Sequence, residues 1–218
     1  MNVTAAIEAR RSFRHFDPDY KISEEEIERL ISLAMLSPTP GNTQPWRFVV
    51  VRDAVLRQQI RMASFDQAQV TDASLLVIMT ADLSAWKTNP TRYSRTAGPE
   101  LSQQLADSMM QFYIGREWLQ RDDAMKSTGL AAMTLMLAAQ ELGYQSCPMG
   151  GIDIDAVGKL IDLPDDHVVS MLVTIGKAVA HAWPRGGQLS IGEVLVRDRF
   201  MPEAISAGAN FKVHKQQP

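Results

Sequence analysis

The chain of 218 residues has very little cysteine and no long apolar run. Its one cysteine, Cys147, has no partner for an internal disulfide. The longest apolar stretch, residues 130–139, is interrupted by Thr134 and is shorter than the ~20 residues that a membrane-spanning helix needs. The N-terminus also lacks the apolar segment and small-residue cleavage site of a secretory signal. These absences predict a cytoplasmic protein that does not enter a membrane.

The sequence also lacks excess positive charge and the common motifs of nucleotide and metal chemistry. A net charge of −3 argues against extensive binding to nucleic acid, which depends on many lysine and arginine contacts. There is no GxGxxG after a strand, no Lys-Ser/Thr phosphate loop, no HExxH and no cysteine and histidine set at metal-ligand spacing. We therefore expect no Rossmann fold, no nucleotide hydrolysis and no metal site.

What the sequence does have is a group of arginines near its start, in the run Arg10-Arg11-Ser12-Phe13-Arg14. Guanidinium groups present forked donors that fit phosphate or carbonyl oxygens two at a time, and Ser12 adds a further donor. This amino-terminal arginine cluster could hold a phosphorylated, planar ligand, or it could be a solvated basic face at the end of a first helix. Taken alone it favours the solvated face, but two further stretches change that interpretation.

The second stretch, residues 37–46, is a loop with three prolines, two side-chain amides and an indole. Such a loop presents donors with little ordering cost on binding, although it could also be a stiff connector. The third stretch, residues 147–152, contains Gly150 and Gly151, and paired glycines let the backbone approach a flat ligand. Cys147 could be a nucleophile, but a lone cysteine is more often a buried small hydrophobe.

Hydrophobic periodicity and capping signals predict one domain over residues 1–218. A helical excursion at about residues 85–121 is expected to be a lid, a substrate-facing insert or a partner contact, and a C-terminal extension begins at about residue 200. The strands lie far apart along the chain, which favours a parallel sheet with helices on both faces. The predicted elements are helices at residues 2–11, 24–36, 55–62, 128–142 and 155–161, and buried strands at residues 48–51, 75–79 and 168–175.

Taken in order, these stretches closely resemble the FMN-dependent nitroreductase family over about residues 3–200. The matching residues are Arg10 to Arg14, Ser37-Pro38, Asn42 to Phe48, Pro148 to Gly151 and Arg185. Residues 64–70, with Gln67 and Gln69, look like the NAD(P)H nitroreductase branch. The resemblance implies an α+β fold with a central, mainly antiparallel sheet wrapped by helices, in an intertwined homodimer with FMN at the subunit interface. It replaces the parallel sheet suggested by the strand spacing.

By the same resemblance, the implied cofactor-binding residues are Arg10, Arg11, Ser12, Arg14, Pro38, Thr39, Asn42, Gln44, Gln69, Met149, Gly150, Gly151 and Arg185. Arg10, Ser12 and Arg185 would hold the phosphate, with Arg11 beside it. Relatives often carry a second cation near the position of Arg185, and this chain does not.

Around the flavin ring, the resemblance places Arg14 near N1 and O2 and Gln69 near the pyrimidine edge. The backbone of residues 149–151 would lie beside N5, although relatives often carry an acidic residue where Gly150 stands. The residues of the proline-rich loop, 38–44, would come from the other subunit.

The chemistry implied is transfer of a hydride from NAD(P)H to the flavin, followed by reduction of a nitroaromatic, quinone or similar electron-poor acceptor in a ping-pong cycle. No side chain is needed as a general acid or base. The alternatives are a flavin-binding or flavin-sequestering protein without turnover, a related enal or enoate reductase, and a nucleic-acid or partner-binding module that the acidic charge disfavours. The acceptor and the choice between NADH and NADPH stay open.

Overall fold

A computed structural model gives the fold and describes residues 1–200. The chain separates into two compact units, Met1–Trp183 and Pro184–Pro218. The helices are α1 Val3–Ala9, α2 Glu24–Ala34, α3 Ala54–Ala63, α4 Gln69–Asp72, α5 Pro99–Tyr113, α6 Glu117–Glu141, α7 Ile154–Leu160 and α8 Ile191–Val194. The strands are β1 Trp46–Val51, β2 Leu75–Asp82, β3 Gln145–Met149 and β4 His167–Gly176. A single domain over 1–218 stays a prediction, and the predicted C-terminal extension lies outside the described residues.

The sheet has the strand order β1-β2-β4-β3, and each neighbouring pair is antiparallel. The parallel sheet that strand spacing favoured is wrong, because a long helical connection can return the chain in either direction. The antiparallel sheet and the α+β class that the family resemblance implied are confirmed. Every residue of β2 is buried, as expected for a central strand.

The first strand is less buried than its unbroken apolar sequence predicted. Trp46 and Val51 at its ends are buried, but residues 47–50 are only half-buried. Phe48 packs on one face of the sheet and Val49 on the other, so both faces are covered. The strand stays partly open because it lies at an edge of the sheet.

The third strand was not predicted, since residues 147–152 were interpreted as a glycine-containing loop. Residues Gln145–Met149 instead pair with β4, and Pro148 lies opposite Val173. A proline is tolerated here because β3 is the other edge strand of the sheet. On the outer side of an edge strand no neighbouring strand requires the backbone N–H that proline lacks. The glycines follow the strand directly.

Two apolar cores cover the two faces of the sheet. In the first, Leu30 of α2 and Leu135 of α6 pack against the sheet, and in the second, Ile60 of α3 and Val157 of α7 do so. Each of these four side chains is fully buried. The sheet is thus held rigidly from both sides, and its edges and strand ends remain available to position functional groups.

The central helix α6 extends further towards the N-terminus than predicted. It spans 25 residues and begins at Glu117, inside the predicted excursion of residues 85–121. The charged residues at 121–123 interrupt the apolar pattern, so the first turns of the helix were not predicted. Asp123 is nevertheless buried, and it accepts a hydrogen bond from the Tyr113 hydroxyl at 2.9 Å. Burial raises the pKa of Tyr113, and the hydrogen bond to Asp123 raises it further.

The first helix ends earlier than predicted, at Ala9, so that Arg10 and Arg11 fall outside it. The remaining ends of the predicted helices and strands agree with the structure to within three residues, and most agree to within the one or two residues by which helix and strand ends usually vary. None of the helices within residues 1–200 is both long and apolar enough to cross a bilayer.

Candidate functional site

The amino-terminal arginine cluster (Arg10, Arg11 and Arg14) lies on an extended segment beside β3. The Phe13 amide donates to the Ser146 carbonyl at 3.0 Å, and Ser12 forms a parallel bridge with Ser146. Two strand-like bonds to residues 177–179 continue the segment along the end of β4. The backbone therefore fixes the position of the cluster against the sheet, without needing its side chains.

The side chains of the cluster differ in exposure. Arg10 and Arg11 are half-buried, whereas Ser12 and Arg14 are exposed. Arg11 donates to the carbonyl of Trp183, and the guanidinium carbon of Arg14 lies 4.1 Å from the centre of the Trp183 ring. Ser12 and Arg14 are therefore accessible from solvent, with the Arg14 guanidinium against the Trp183 ring.

The positive charge of the cluster reaches the buried thiol of Cys147. Burial raises the pKa of this thiol, while the charges of Arg14 and Arg10 act in the opposite direction. Cys147 is only 3% exposed, so the prediction of a buried small hydrophobe is confirmed for its position. A raised pKa leaves the thiol protonated at neutral pH and makes it a poor nucleophile.

Directly after β3 the backbone is open at two glycines. Gly150 and Gly151 are exposed, and a Cβ atom built on either would meet no atom within 4 Å. Met149 is buried beneath them. The backbone of Gly150 and Gly151 can therefore be approached closely by a ligand, as the sequence predicted.

The amides of Gln67 and Gln69 support this open backbone. Gln67 donates through Nε2 to the Gly151 carbonyl at 2.9 Å and to the Ser64 carbonyl at 3.0 Å. Gln69 is buried and donates to Oε1 of Gln67 at 3.0 Å. Gln67 is therefore the amide that reaches the glycines, and Gln69 supports it from the buried side. The predicted contact of Gln69 with the pyrimidine edge of a flavin stays a prediction.

The proline-rich loop is ordered by its own hydrogen bonds and by the excursion. The backbone N–H of Gln44 donates to the Thr39 hydroxyl at 3.1 Å, and the side-chain Nε2 of Gln44 donates to the backbone carbonyl of Asn42 at 3.2 Å. Nδ2 of Asn42 donates to the Tyr93 carbonyl at 2.9 Å. Gly41, Asn42 and Gln44 all have positive φ, which holds the loop in a conformation that costs backbone strain for the two larger residues.

Pro38, the first predicted contact of this loop, lines an apolar groove of about 420 Å³ between α1, α2 and α6. Val3 and Leu36 on its walls are 71% and 78% exposed. The groove presents a large apolar surface beside the candidate site. Within a single chain, the hydrogen bonds described above are those made by Thr39, Asn42 and Gln44.

Arg185 belongs to the second unit, Pro184–Pro218, where it is exposed. Its predicted role in phosphate binding stays a prediction.

One group of possible metal ligands lies away from this site. Asp82, Asp166 and His167 bring ligand atoms within 4.8 Å of one another. Arg47 donates to the Asp82 carboxylate at 2.7 Å, and His167 Nδ1 lies 2.7 Å from Asp166. The Arg47–Asp82 ion pair and the His167–Asp166 hydrogen bond account for the grouping, and we assign no metal to it.

The donors around β3 suit a phosphorylated, planar ligand. Guanidinium groups and the Ser12 hydroxyl can bind phosphate oxygens, and the open backbone at Gly150 can lie against a flat ring. Residues 10–14 run beside β3 and the glycines follow its last residue, so the same strand positions both kinds of donor.

Comparison with known proteins decides the assignment. The model of the nitroreductase family matches residues 7–177, which include the arginine cluster, the proline-rich loop, the glutamines and the two glycines. The chain belongs to the nitroreductase family. The matched range covers the whole sheet and both cores described above.

Several family members are close relatives of this nitroreductase-family chain. Protein DrgA of Synechocystis sp. is 46% identical over 182 residues, covering 84% of this chain and 87% of the relative. YodC of Bacillus subtilis, whose name assigns it to the NAD(P)H nitroreductases, is 32% identical over 188 residues, covering 83% and 92%.

A solved nitroreductase-family structure from Exiguobacterium sibiricum, in complex with FMN, superposes with a TM-score of 0.83 at 28% identity. The match covers 90% of this chain and 97% of that one. The family fold is therefore shared over nearly all of the unit Met1–Trp183.

Proposed function

We propose that the protein is an FMN-dependent oxidoreductase that uses NAD(P)H to reduce nitroaromatic, quinone or similar electron-poor acceptors in a ping-pong cycle. The observation that carries this proposal is the placement of residues 10–14 against β3, which puts guanidinium groups and open glycine backbone on one strand edge. Family membership and the FMN complex of a relative support it.

In this proposal Arg10 and Ser12 hold the FMN phosphate, and Arg11 adds positive charge beside them. Half-burial of Arg10 strengthens its interaction with a phosphate, because the surrounding protein screens less than water. Ser12 is exposed and can donate its hydroxyl.

Arg14 and the glycines serve the ring. When bound, FMN would supply hydride and electron transfer between NAD(P)H and the acceptor. Arg14 would provide an exposed cation for the ring, and the backbone from Met149 to Gly151 would lie beside it. Gln67 orients the Gly151 carbonyl by donating a hydrogen bond to it, and Gln69 orients Gln67 by donating to its Oε1 atom.

We further propose that the working unit is a homodimer. Pro38, Thr39, Asn42 and Gln44 would then contact the flavin held by the other copy, across an interface that covers the apolar groove. The exposed apolar walls of that groove support this arrangement, since apolar patches of this kind mark interfaces.

An anaerobic absorbance spectrum tests the proposal. The purified protein should show flavin bands that bleach on adding NADPH or NADH and return on adding a quinone. Yellow protein that neither nucleotide bleaches would support the flavin-binding alternative without turnover. Protein that stays colourless and monomeric when offered FMN would contradict the proposal as a whole.

A further inference from the structure

A second group of arginines lines a pocket of about 360 Å³ between the start of β1 and the 3₁₀ turn Pro90–Tyr93. Its lining residues are Gln44, Trp46, Arg47, Arg92, Tyr93 and Arg95. Three of the six are arginines and none is acidic, so we name this site the arginine pocket. Gln44 also belongs to the loop proposed to face the flavin.

The pocket carries uncompensated positive charge. Arg47 is paired with the buried carboxylate of Asp82 at 2.7 Å, which offsets its charge. Arg92 and Arg95 have no carboxylate within ion-pair distance in the part of the chain that the structure describes. Two guanidinium groups are therefore left to attract an anion.

The pocket is also organised in advance. The guanidinium carbon of Arg92 lies 4.7 Å from the centre of the Tyr93 ring, and Arg92 donates to the Tyr93 hydroxyl at 2.5 Å. That hydroxyl donates in turn to the Ala85 carbonyl at 2.9 Å. Arg92 is thus held in one orientation before any ligand arrives.

Two buried donors at the pocket lack an acceptor. Nε of Arg92 and Nε1 of Trp46 are buried and have no hydrogen-bond partner among residues 1–200, and Trp46 is only 5% exposed. A buried donor without an acceptor costs free energy that an incoming acceptor recovers. The pocket therefore combines free positive charge with donors that need oxygen atoms.

We infer that the arginine pocket binds a compact oxyanion, a phosphate or carboxylate, carried by one of the two redox partners of the flavin. This inference rests on the proposed function, because Gln44 connects the pocket to the loop proposed to face the ring. A guanidinium group binds such oxyanions through two parallel hydrogen bonds.

The oxyanion has two possible sources. The reductant can supply it, since NADPH differs from NADH by one phosphate group. The acceptor can also supply it, as a carboxylate on an electron-poor aromatic ring. NADH lacks the extra phosphate group of NADPH, and a nitroaromatic amide is the neutral counterpart of a nitroaromatic carboxylate. Kinetic measurements on each pair can therefore distinguish the two sources.

The kinetic experiment compares wild-type protein with Arg95→Ala, Arg92→Ala and the control Arg121→Ala, an exposed arginine outside the pocket. One arm measures kcat/KM for NADPH and NADH, and the other for 4-nitrobenzoate and 4-nitrobenzamide. We expect the preference for the anionic member of one pair to fall by about tenfold or more in the pocket variants, because a charge-assisted hydrogen bond is lost. Arg121→Ala should keep both preferences.

A fall in the NADPH arm assigns the pocket to the reductant, a fall in the nitrobenzoate arm assigns it to the acceptor, and falls in both show that the two partners use it in turn. Unchanged preferences in both arms, or an equal fall in Arg121→Ala, would overturn the inference.

Because the Arg95 side chain is exposed and makes no hydrogen bond or ion pair within residues 1–200, Arg95→Ala keeps the test valid even if Arg92→Ala fails to fold.

A binding measurement separates this inference from the proposed function. Calorimetric titration of the FMN-loaded protein with inorganic phosphate should show binding that Arg95→Ala weakens and Arg121→Ala does not. Phosphate binding that is absent, or that Arg95→Ala leaves unchanged, would contradict the pocket. Wild-type protein that retains FMN but is reduced by neither nucleotide would contradict the proposed function, while the titration would still test the pocket.

Discussion

The amino-terminal arginine cluster and the arginine pocket hold their cations in different ways. Residues 10–14 are positioned by main-chain bonds to β3, so the backbone places the side chains. In the pocket, Arg47 is held by the carboxylate of Asp82 and Arg92 by the ring and hydroxyl of Tyr93. In the first site the backbone is fixed independently of the side chains, whereas in the second the side chains of Arg47 and Arg92 are held by other side chains.

This difference teaches which residues can change without unfolding the protein. Where the backbone does the positioning, removal of a side chain should affect the ligand and spare stability. Where side chains position one another, removal of one leaves its partner buried without compensation. The predictions below test this contrast, and they begin where it should be largest.

Arg47→Ala should be the most destabilising of the changes that we consider. It leaves the Asp82 carboxylate, which is buried, without its cation, and it removes bonds to the carbonyls of Gln44 and Trp46. We expect a loss of about 2–4 kcal/mol in the free energy of unfolding, less than for a fully buried pair because Arg47 is partly exposed. Urea denaturation of the FMN-free protein measures it.

The matched control is Arg52→Ala, which breaks an ion pair with Glu24 in which both side chains are more than half exposed. Exposed pairs of this kind contribute roughly 0–1 kcal/mol. Equal losses in the two variants would show that the pocket is not built on a buried ion pair.

Arg10→Ala should instead weaken FMN binding and leave the fold nearly intact. Loss of a charge-assisted hydrogen bond to phosphate predicts a rise in the FMN Kd of roughly ten- to a hundredfold. Quenching of FMN fluorescence on titration measures it, with the exposed Arg29→Ala as the control. An unchanged Kd, or unfolding comparable to that of Arg47→Ala, would remove the distinction between the two sites.

Arg14→Ala should slow flavin reduction more than it weakens FMN retention. The side chain is exposed, so its contribution to binding FMN is small, but its charge counts where negative charge develops on the ring. We expect reduction by NADPH to slow by about tenfold or more in anaerobic stopped-flow absorbance. Unchanged reduction kinetics would count against the role of Arg14 at the ring.

The contrast also explains what could be predicted from the sequence. The cluster is contiguous, so its residues could be proposed as a site from the sequence alone, although the end of α1 was misplaced. The arginine pocket combines Arg47 with Arg92 and Arg95, more than forty residues away. No local pattern joins them, and only the packing of the excursion against β1 does so.

The sheet shows the same limit. Burial of β2 followed from its unbroken apolar run, because a central strand needs apolar residues on both faces. The direction of pairing did not follow from residue patterns, since it depends on how the helices return the chain, and the family resemblance supplied it. β3 was missed because Gly150 and Gly151 led residues 147–152 to be interpreted as a loop, and Pro148 fits a strand only where that strand is an edge of the sheet.

The smallest predicted effect is electrostatic and concerns Cys147, which lies within the field of the cluster. Its pKa is raised by burial in the folded state, so the protonated thiol is favoured there. The resulting stability is complete below the pKa of the unfolded thiol, about 8.5, and is lost as the pH rises towards the folded value. The difference in unfolding free energy between the wild-type protein and Cys147→Ala should therefore be constant below about pH 8 and shrink by about 1 kcal/mol or less by about pH 10.

Because the charge of Arg14 opposes the rise in the pKa of Cys147, the same difference measured in the Arg14→Ala background should decline more strongly with pH. Parallel curves in the two backgrounds would show that the cluster acts on its ligand alone and not on the strand that supports it.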